Sequence, residues 1–273
     1  MQFLKGKDRN TVAYAFVPGN PHSKNLPALV FIHGLGADAS SWMHQIDYFS
    51  KEGYPMIAID IRGHGKSQGS RKVAFFSMRR MADDLHRVIA RCGYEGDCII
   101  IGHCFGGVIA QHYQNMFPKS AKHLILISTT SRNRRKGILL FLKIFIWLFP
   151  FRIFAKTDTA KRNHREYDYW KGTADTKPER LFAAIMATYP NNYFCTLAGF
   201  STFDNRRKLK KYNLPVDIIV GDKDSVFKPN RSYELHRLIP KSKLYIMKNV
   251  NHLIPLNAPD DLNALLDKIL REK

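Results

Sequence analysis

One stretch constrains this chain more than any other: Ile99-Ile100-Ile101-Gly102-His103-Cys104-Phe105-Gly106-Gly107. A short β-branched run bounded by Asp97-Cys98 and then by glycines predicts a fully buried strand. Residues 107–117 place Val108, Ile109, His112 and Met116 at helical spacing, so a helix follows at once. A strand that turns straight into a helix throws the residue at the bend out above the sheet edge. Its neighbours must be small, because backbones approach closely there and the turn is strained. The residue at the bend is Cys104, with Gly102 two before it and Gly106 two after. The helix aims its unpaired N–H groups and the positive end of its dipole at the same spot, which favours a thiolate and can hold an oxyanion.

The rest of the chain alternates in a way that suits such a bend. Apolar runs at 28–32, 56–59, 124–127, 216–220 and 244–247 read as buried strands, and 11–17 as a peripheral one. Helical spacing follows between them: Trp42, Ile46 and Phe49; Met78, Met81, Leu85, Val88 and Ile89, with Ser77 as the cap; residues 232–238; and Leu262, Leu265, Leu266 and Ile269. Strand and helix in regular alternation predict an α/β fold, a mostly parallel doubly wound sheet covered on both faces. Ligands of such sheets sit beyond the carboxyl ends of the strands, where His33-Gly34, Asp60 and Cys104 all fall. From about residue 130 the alternation stops until about 205, with one helix expected around 178–189. The expected organisation is a core of residues 1–129 and 212–273 around an inserted helical cap, 130–211.

Gly102-His103-Cys104-Phe105-Gly106 resembles the G-x-S-x-G nucleophile elbow of the α/β-hydrolase superfamily, with Cys where most members carry Ser. With Gly107 it is similar to the G-x-C-x-G-G of polyhydroxyalkanoate synthases, and dienelactone hydrolases have a similar Cys elbow. The superfamily order is nucleophile, acid, histidine. The resemblance therefore implies Cys104, then Asp224 in Gly221-x-x-Asp224, then His252 in Asn251-His252-Leu253. Asp222, on the same loop, is the alternative acid. His33-Gly34-Leu35-Gly36 resembles the family's oxyanion segment, which implies an oxyanion hole from the backbone N–H groups of Leu35 and Phe105. His33, Gly34, Gly36, Gly102 and Gly106 would support it. Asp60-x-Arg62-Gly63-His64-Gly65 resembles a structural segment of the family, so His64 is given no catalytic role, and His103 is expected to bond locally. The implied activity is hydrolysis of a carboxylic ester or thioester with an apolar acyl group, through a thioester acyl-enzyme. An acyltransferase using the same Cys, and a non-catalytic lipid-binding or receptor-like homologue, are the alternatives.

The charge adds a second constraint. In 273 residues there are 43 Lys and Arg against 23 Asp and Glu, a net +20. Such a surplus suits acidic partners, here an anionic membrane surface or an acidic carrier protein besides the small-molecule acyl substrate. Nucleic acid is not expected, because no recognisable nucleic-acid module accompanies the basic runs. Those runs, 132–136 and 206–211, flank the expected cap, and residues 138–149 between them carry a single charge, Lys143. As a helix that run spans about 18 Å, short of the roughly 30 Å of a membrane core, so a cap helix buried against the core is expected, with a helix that lines an acyl pocket and touches a membrane surface as the alternative. Cys92, Cys98, Cys104 and Cys195 show no C-x-x-C spacing, which predicts reduced thiols and a cytoplasmic location, peripheral at a membrane. Residues 1–7 lack the apolar stretch of a signal peptide. The histidines lack ligand spacing, so neither metal nor organic cofactor is expected.

Overall fold

The computed structural model describes residues 1–20, 26–70, 72–133 and 167–272. The first half of the chain builds β1 (Gln2–Lys5), β2 (Thr11–Val17), β3 (Ala28–Ile32), α1 (Met43–Lys51), β4 (Met56–Ile59), α2 (Met78–Arg91), β5 (Cys98–His103), α3 (Phe105–Met116) and β6 (His123–Ile127). After the insertion come β7 (Val216–Gly221) and β8 (Ser242–Met247), the last strands in the chain. The described strands form one sheet in the order β1-β2-β4-β3-β5-β6-β7-β8. From β4 to β8 every neighbour is parallel, and only the β1–β2 and β2–β4 pairings are antiparallel, so that β2 alone runs against the rest. This is a mostly parallel α/β sheet with helices on both faces, as the alternation in the sequence implies.

Strand periodicity of two divides the core into two layers. On β3, Val30 and Ile32 face a layer built with Leu85 and Val88 of α2 and Val108 and Ile109 of α3. Leu29 and Phe31 face the other, with Trp42, Phe49 of α1 and the last helix, α9 (Pro259–Arg271), through Leu262 and Leu266. A strand buried on both faces must be apolar throughout, which is why β3, β4 and β6 read as unbroken hydrophobic runs.

Three local details differ from the sequence reading. Residues 11–17 are not the sheet edge, because β1 pairs outside them, Phe3 opposite Ala13. The pattern of β1 is too short and too exposed to stand out. Ser77 precedes α2 but its side chain makes no capping hydrogen bond. The helix expected from Ser41-Trp42 opens instead as a 3-10 turn, Ala39–Trp42, capped by the Asp38 side chain on the Ser40 N–H.

Between β6 and β7 lie α4 (Pro178–Thr188), α5 (Pro190–Phe200) and α6 (Arg206–Leu209), and after β7 come α7 (Asn230–Leu238) and then α8 (Ile254–Asn257). Two prolines serve as first residues, at Pro178 and Pro190, where a missing N–H costs nothing. The helix expected around 178–189 is α4, and α5 is a second one that the sequence did not suggest, with Tyr189 at φ 62° between them. The expected apolar run at 138–149 and the basic residues 134–136 lie outside the described residues.

The Asp60–Ser67 segment is structural. Asp60 accepts the N–H groups of Ala39 at 2.8 Å and Lys66 at 2.7 Å. Arg62 is buried and forks onto two carboxylates, Nη2 to Asp84 at 3.0 Å and Nη1 to Asp8 at 2.6 Å. A buried guanidinium needs such pairing on every side, because leaving it unpaired is strongly destabilising.

Candidate active site

The loops after β3, β5, β7 and β8 meet at the carboxyl end of the sheet, and Cys104 stands at their centre. It links β5 directly to α3 with φ 54° and ψ −116°, a conformation that side-chain-bearing residues rarely adopt. Its N–H donates to the Ile127 carbonyl at 2.9 Å, and its carbonyl accepts the Thr129 hydroxyl at 2.7 Å. The glycines on either side are there for space. A Cβ on Gly106 would lie 2.1 Å from the Ile32 carbonyl oxygen, and one on Gly102 would lie 2.6 Å from the Gly106 carbonyl oxygen.

The acid loop follows β7. Asp224 is buried and accepts the N–H groups of Val226 at 3.0 Å and Phe227 at 2.8 Å with one oxygen. Its other oxygen, Oδ2, lies 2.9 Å from Nδ1 of His252. Asp222, the alternative acid, has no such contact; its N–H donates to the Met247 carbonyl. The base loop follows β8 and is pressed against the acid loop. A Cβ on Gly221 would lie 2.2 Å from the Val250 carbonyl oxygen, and the Lys223 N–H donates to that oxygen at 3.0 Å.

His252 is buried, and burial alone would push its pKa down. The Cys104 sulfur, which is within hydrogen-bonding reach, and the Asp224 carboxylate outweigh burial and raise it above the ordinary 6.5. Burial likewise raises Asp224, but the hydrogen bond and charge of His252 leave it below the usual carboxylate value. The structure thus brings Cys104, His252 and Asp224 into one line of contacts.

The other thiols are different in kind. Cys98 and Cys195 are fully buried and pushed up to about 12, and Cys92 is raised by burial as well. A thiol held protonated is a poor nucleophile.

The supporting residues take the places their types suggest. Phe105 is the first residue of α3, so its N–H is one of the helix's free donors. Leu35 sits in the turn closed by the Ala37 N–H on the Gly34 carbonyl at 3.2 Å, with Gly36 at φ 79°. Gly34 lies against Cys104, since a Cβ there would be 3.2 Å from that of Cys104. His33 donates from Nδ1 to the Gly34 carbonyl at 2.7 Å and accepts the Ile61 N–H on Nε2 at 3.1 Å, locking that turn. His103 donates from Nε2 to the His252 carbonyl at 2.8 Å. Burial holds it neutral, with a pKa lowered to about 3, so it braces the base loop without competing as a base. Among the described residues no cluster of metal-binding side chains occurs.

A family model described as the alpha/beta hydrolase fold matches residues 27–259. The chain belongs to the α/β-hydrolase family. Among its curated relatives, epoxide hydrolase 3 of Xenopus tropicalis is 22% identical over 272 residues, covering 91% of this chain and 72% of the relative. Lipase 3 of Moraxella sp. is 25% identical over 240 residues, covering 85% and 74%. A thermophilic esterase from Thermogutta terrifontis shares the fold, with a TM-score of 0.77 at 21% identity over 100% of this chain and 99% of that one. The enol-lactonase from Burkholderia xenovorans also has a TM-score of 0.77, at 17% identity over 99% and 100%.

One residue of this α/β-hydrolase escaped the sequence reading. Asp175, just before α4, is buried among both loops. Its Oδ2 accepts the N–H and the hydroxyl of Ser225, each at 2.9 Å, and its Oδ1 accepts the His252 N–H at 2.9 Å. One carboxylate from the insertion therefore ties the acid loop to the base loop. An aspartate in a polar stretch far from any motif carries no sequence signal for this role.

Two outcomes follow from this geometry. Asp175→Ala leaves three donors without their acceptor and lets the base loop drift. Steady-state kinetics are expected to show kcat reduced, up to about 10²-fold for a displacement near 1 Å. An unchanged kcat would remove Asp175 from this positioning role. The proton on His252 is expected to persist above pH 6.5, and Asp224→Asn should move its titration down, as read from its ring resonances by NMR. Because the folded value is raised, that proton's stabilisation is complete below 6.5 and disappears as pH rises through the folded value.

Proposed function

We propose that this hydrolase cleaves a carboxylic ester or thioester through a Cys104–His252–Asp224 triad and a thioester acyl-enzyme. The observation that carries the reading is the line of contacts from the strained Cys104 to His252 and on to Asp224 at 2.9 Å. The Cys104 thiolate attacks the carbonyl carbon, and the electron pair of the C=O bond moves to oxygen. The N–H groups of Leu35 and Phe105 receive that oxyanion. Collapse expels the alkoxide or thiolate, which takes its proton from His252, and leaves the acyl group on sulfur. His252, now neutral, removes a proton from water as the water attacks the thioester. The carboxylic acid departs and the Cys104 thiolate and protonated His252 are restored. Asp224 keeps the imidazole oriented and stabilises its charged form.

The insertion of residues 130–211 acts in this reading as a cap that selects the acyl group. Cleavage in water and transfer to another acceptor share every step up to the acyl-enzyme, and only the second attacking group differs.

Intact-protein mass spectrometry after brief exposure to a short-chain p-nitrophenyl ester should show one acyl adduct on Cys104, lost in Cys104→Ala. His252→Ala should slow its formation by at least about 10³-fold. An adduct on Cys92, Cys98 or Cys195 would overturn the assignment. Adding an amine or thiol acceptor and finding acylated acceptor in place of free acid would make the protein an acyltransferase.

We also propose a cytoplasmic enzyme that adsorbs to anionic membrane through its cap. The support is the net charge of +20 together with exposed apolar side chains on α4, Leu181, Phe182 at 65% exposure and Met186. No helix among the described residues is long and apolar enough to cross a membrane. Each Lys or Arg near an anionic surface contributes about 1 kcal/mol, fading within a Debye length. Sedimentation with vesicles should require anionic lipid, weaken with salt, and weaken further when Phe182 and Met186 are changed to Ser. No binding to anionic vesicles at low salt would leave an acidic carrier protein as the partner.

A further inference from the structure

Among the described residues of the insertion, Arg180 is a basic residue bonded to Asp175, the carboxylate that ties the acid loop to the base loop. It lies on α4 one turn before Ala184, so the two share a helix face. Ala184 rests on the loop after β3, since a Cβ on Gly36 would be 2.9 Å from the Ala184 Cβ and 3.1 Å from the Tyr193 ring. On the other side, the Arg180 Nη2 donates to the Asp175 carbonyl, and the carboxylate of Asp175 holds the His252 N–H. The guanidinium is therefore held beside the base loop, on the helix whose next turn rests on the loop after β3. Its charge is felt at His103, next to Cys104 in the chain, and at Tyr193, which also feels the Cys104 sulfur.

Arg180 lacks a counter-charge among the described residues, as Arg87 on the outside of α2 does, but Arg180 stands beside the loop that carries His252. Arg62, the buried arginine in the core, is forked onto two carboxylates. Arg180 forms no ion pair among the described residues, and its Nε is buried with no hydrogen-bond partner. A guanidinium carries five donors in a planar fork that matches a carboxylate or phosphate with two parallel bonds. Half-burying that fork beside the base loop, with a donor unpaired, is costly unless something anionic arrives to meet it.

We propose that Arg180 recognises an anionic group of the substrate, so that the natural ester or thioester carries a carboxylate or phosphate within reach of α4. The inference rests on the ester or thioester reading of the same site. It narrows that reading from any apolar acyl compound to one with a charged end. A carboxylate at the far end of the acyl chain and a phosphate on the leaving group both offer the required oxygens. The positive charge also opposes a neutral substrate only weakly, so discrimination comes from pairing the fork and not from exclusion.

The full-length protein and its Arg180→Met and Arg180→Lys variants are compared on two matched substrate pairs. One pair is the p-nitrophenyl esters of butyric and succinic acids, which differ by a terminal carboxylate. The other is the butyryl thioesters of pantetheine and 4′-phosphopantetheine, which differ by a phosphate. Arg180→Met is expected to lower the anionic-to-neutral ratio of kcat/KM at least about tenfold in one pair, mainly through KM, and the pair affected identifies the group. Arg180→Lys should restore part of the ratio. Arg207→Met, which removes an exposed charge on α6, gives the effect of net charge alone. Equal losses on both members of each pair would make Arg180 a structural residue and overturn the proposal. Calorimetry with succinate and with inorganic phosphate separates this proposal from the ester reading. Saturable binding of either anion, lost in Arg180→Met, upholds anion recognition even if no ester turns over. Absence of binding to both, together with an unchanged ratio, overturns it while leaving ester hydrolysis standing.

Discussion

The helix that follows β5 lies almost in contact with the backbone of a neighbouring strand, and the site depends on that approach. There is no room for a side chain at Gly106, which faces the Ile32 carbonyl, nor at Gly102, which faces the carbonyl of Gly106. With α3 held so close to β3 and β5, the chain can join strand to helix only through one residue at positive φ. That residue is Cys104. The same closeness sets the free N–H of Phe105 beside the Leu35 turn, because Gly34 packs directly on Cys104. The strained Cys104 and the N–H groups proposed as oxyanion donors are thus consequences of one packing contact, maintained by strands that are apolar on both faces.

The base loop shows how a charge-bearing side chain is placed largely by neutral bonds. His252 is braced through its own backbone by His103, which donates to its carbonyl, and by Asp175, which accepts its N–H. The Gly221–Val250 approach locks the loop to the acid loop. Only the final contact, Asp224 to Nδ1, is between charged groups. Asp224 in turn is prepared for that contact by two backbone N–H groups of its own turn. Ions buried with their bonds already formed need little rearrangement when charge develops on a substrate.

Burial sorts residues of one type into different chemistries. Cys98 and Cys195 are held protonated in the core, whereas Cys104 stands half-exposed beside an imidazole. Among histidines, His103 is kept neutral by burial, and His252, equally buried, is drawn to the protonated form by the Cys104 sulfur and the Asp224 carboxylate. Among arginines, Arg62 is neutralised in the core by two carboxylates, whereas Arg180 meets none among the described residues. Residue identity alone distinguishes none of these pairs.

The sequence determined what local pattern can encode. Continuous apolar runs specified the parallel strands, because a strand covered on both faces has no polar alternative. The glycines around Cys104 marked the bend, because only residues without a Cβ fit there. The order of Cys104, Asp224 and His252, each just past a strand, marked where to look, and Asp224 over Asp222 was legible only through family resemblance. The edge strand β1 was not legible, since four residues, three of them exposed, carry no period strong enough to read. Tertiary structure alone decided the parts that come from distant segments. Asp175 reaches Ser225 and His252 across 50 and 77 residues of chain, and His103 reaches His252 across 149. Arg180 meets the Asp175 carbonyl on a helix whose Ala184, one turn away, lands on Gly36. Contacts of that kind depend on how the insertion folds back over the sheet, and no local periodicity, motif or turn chemistry in the chain records it.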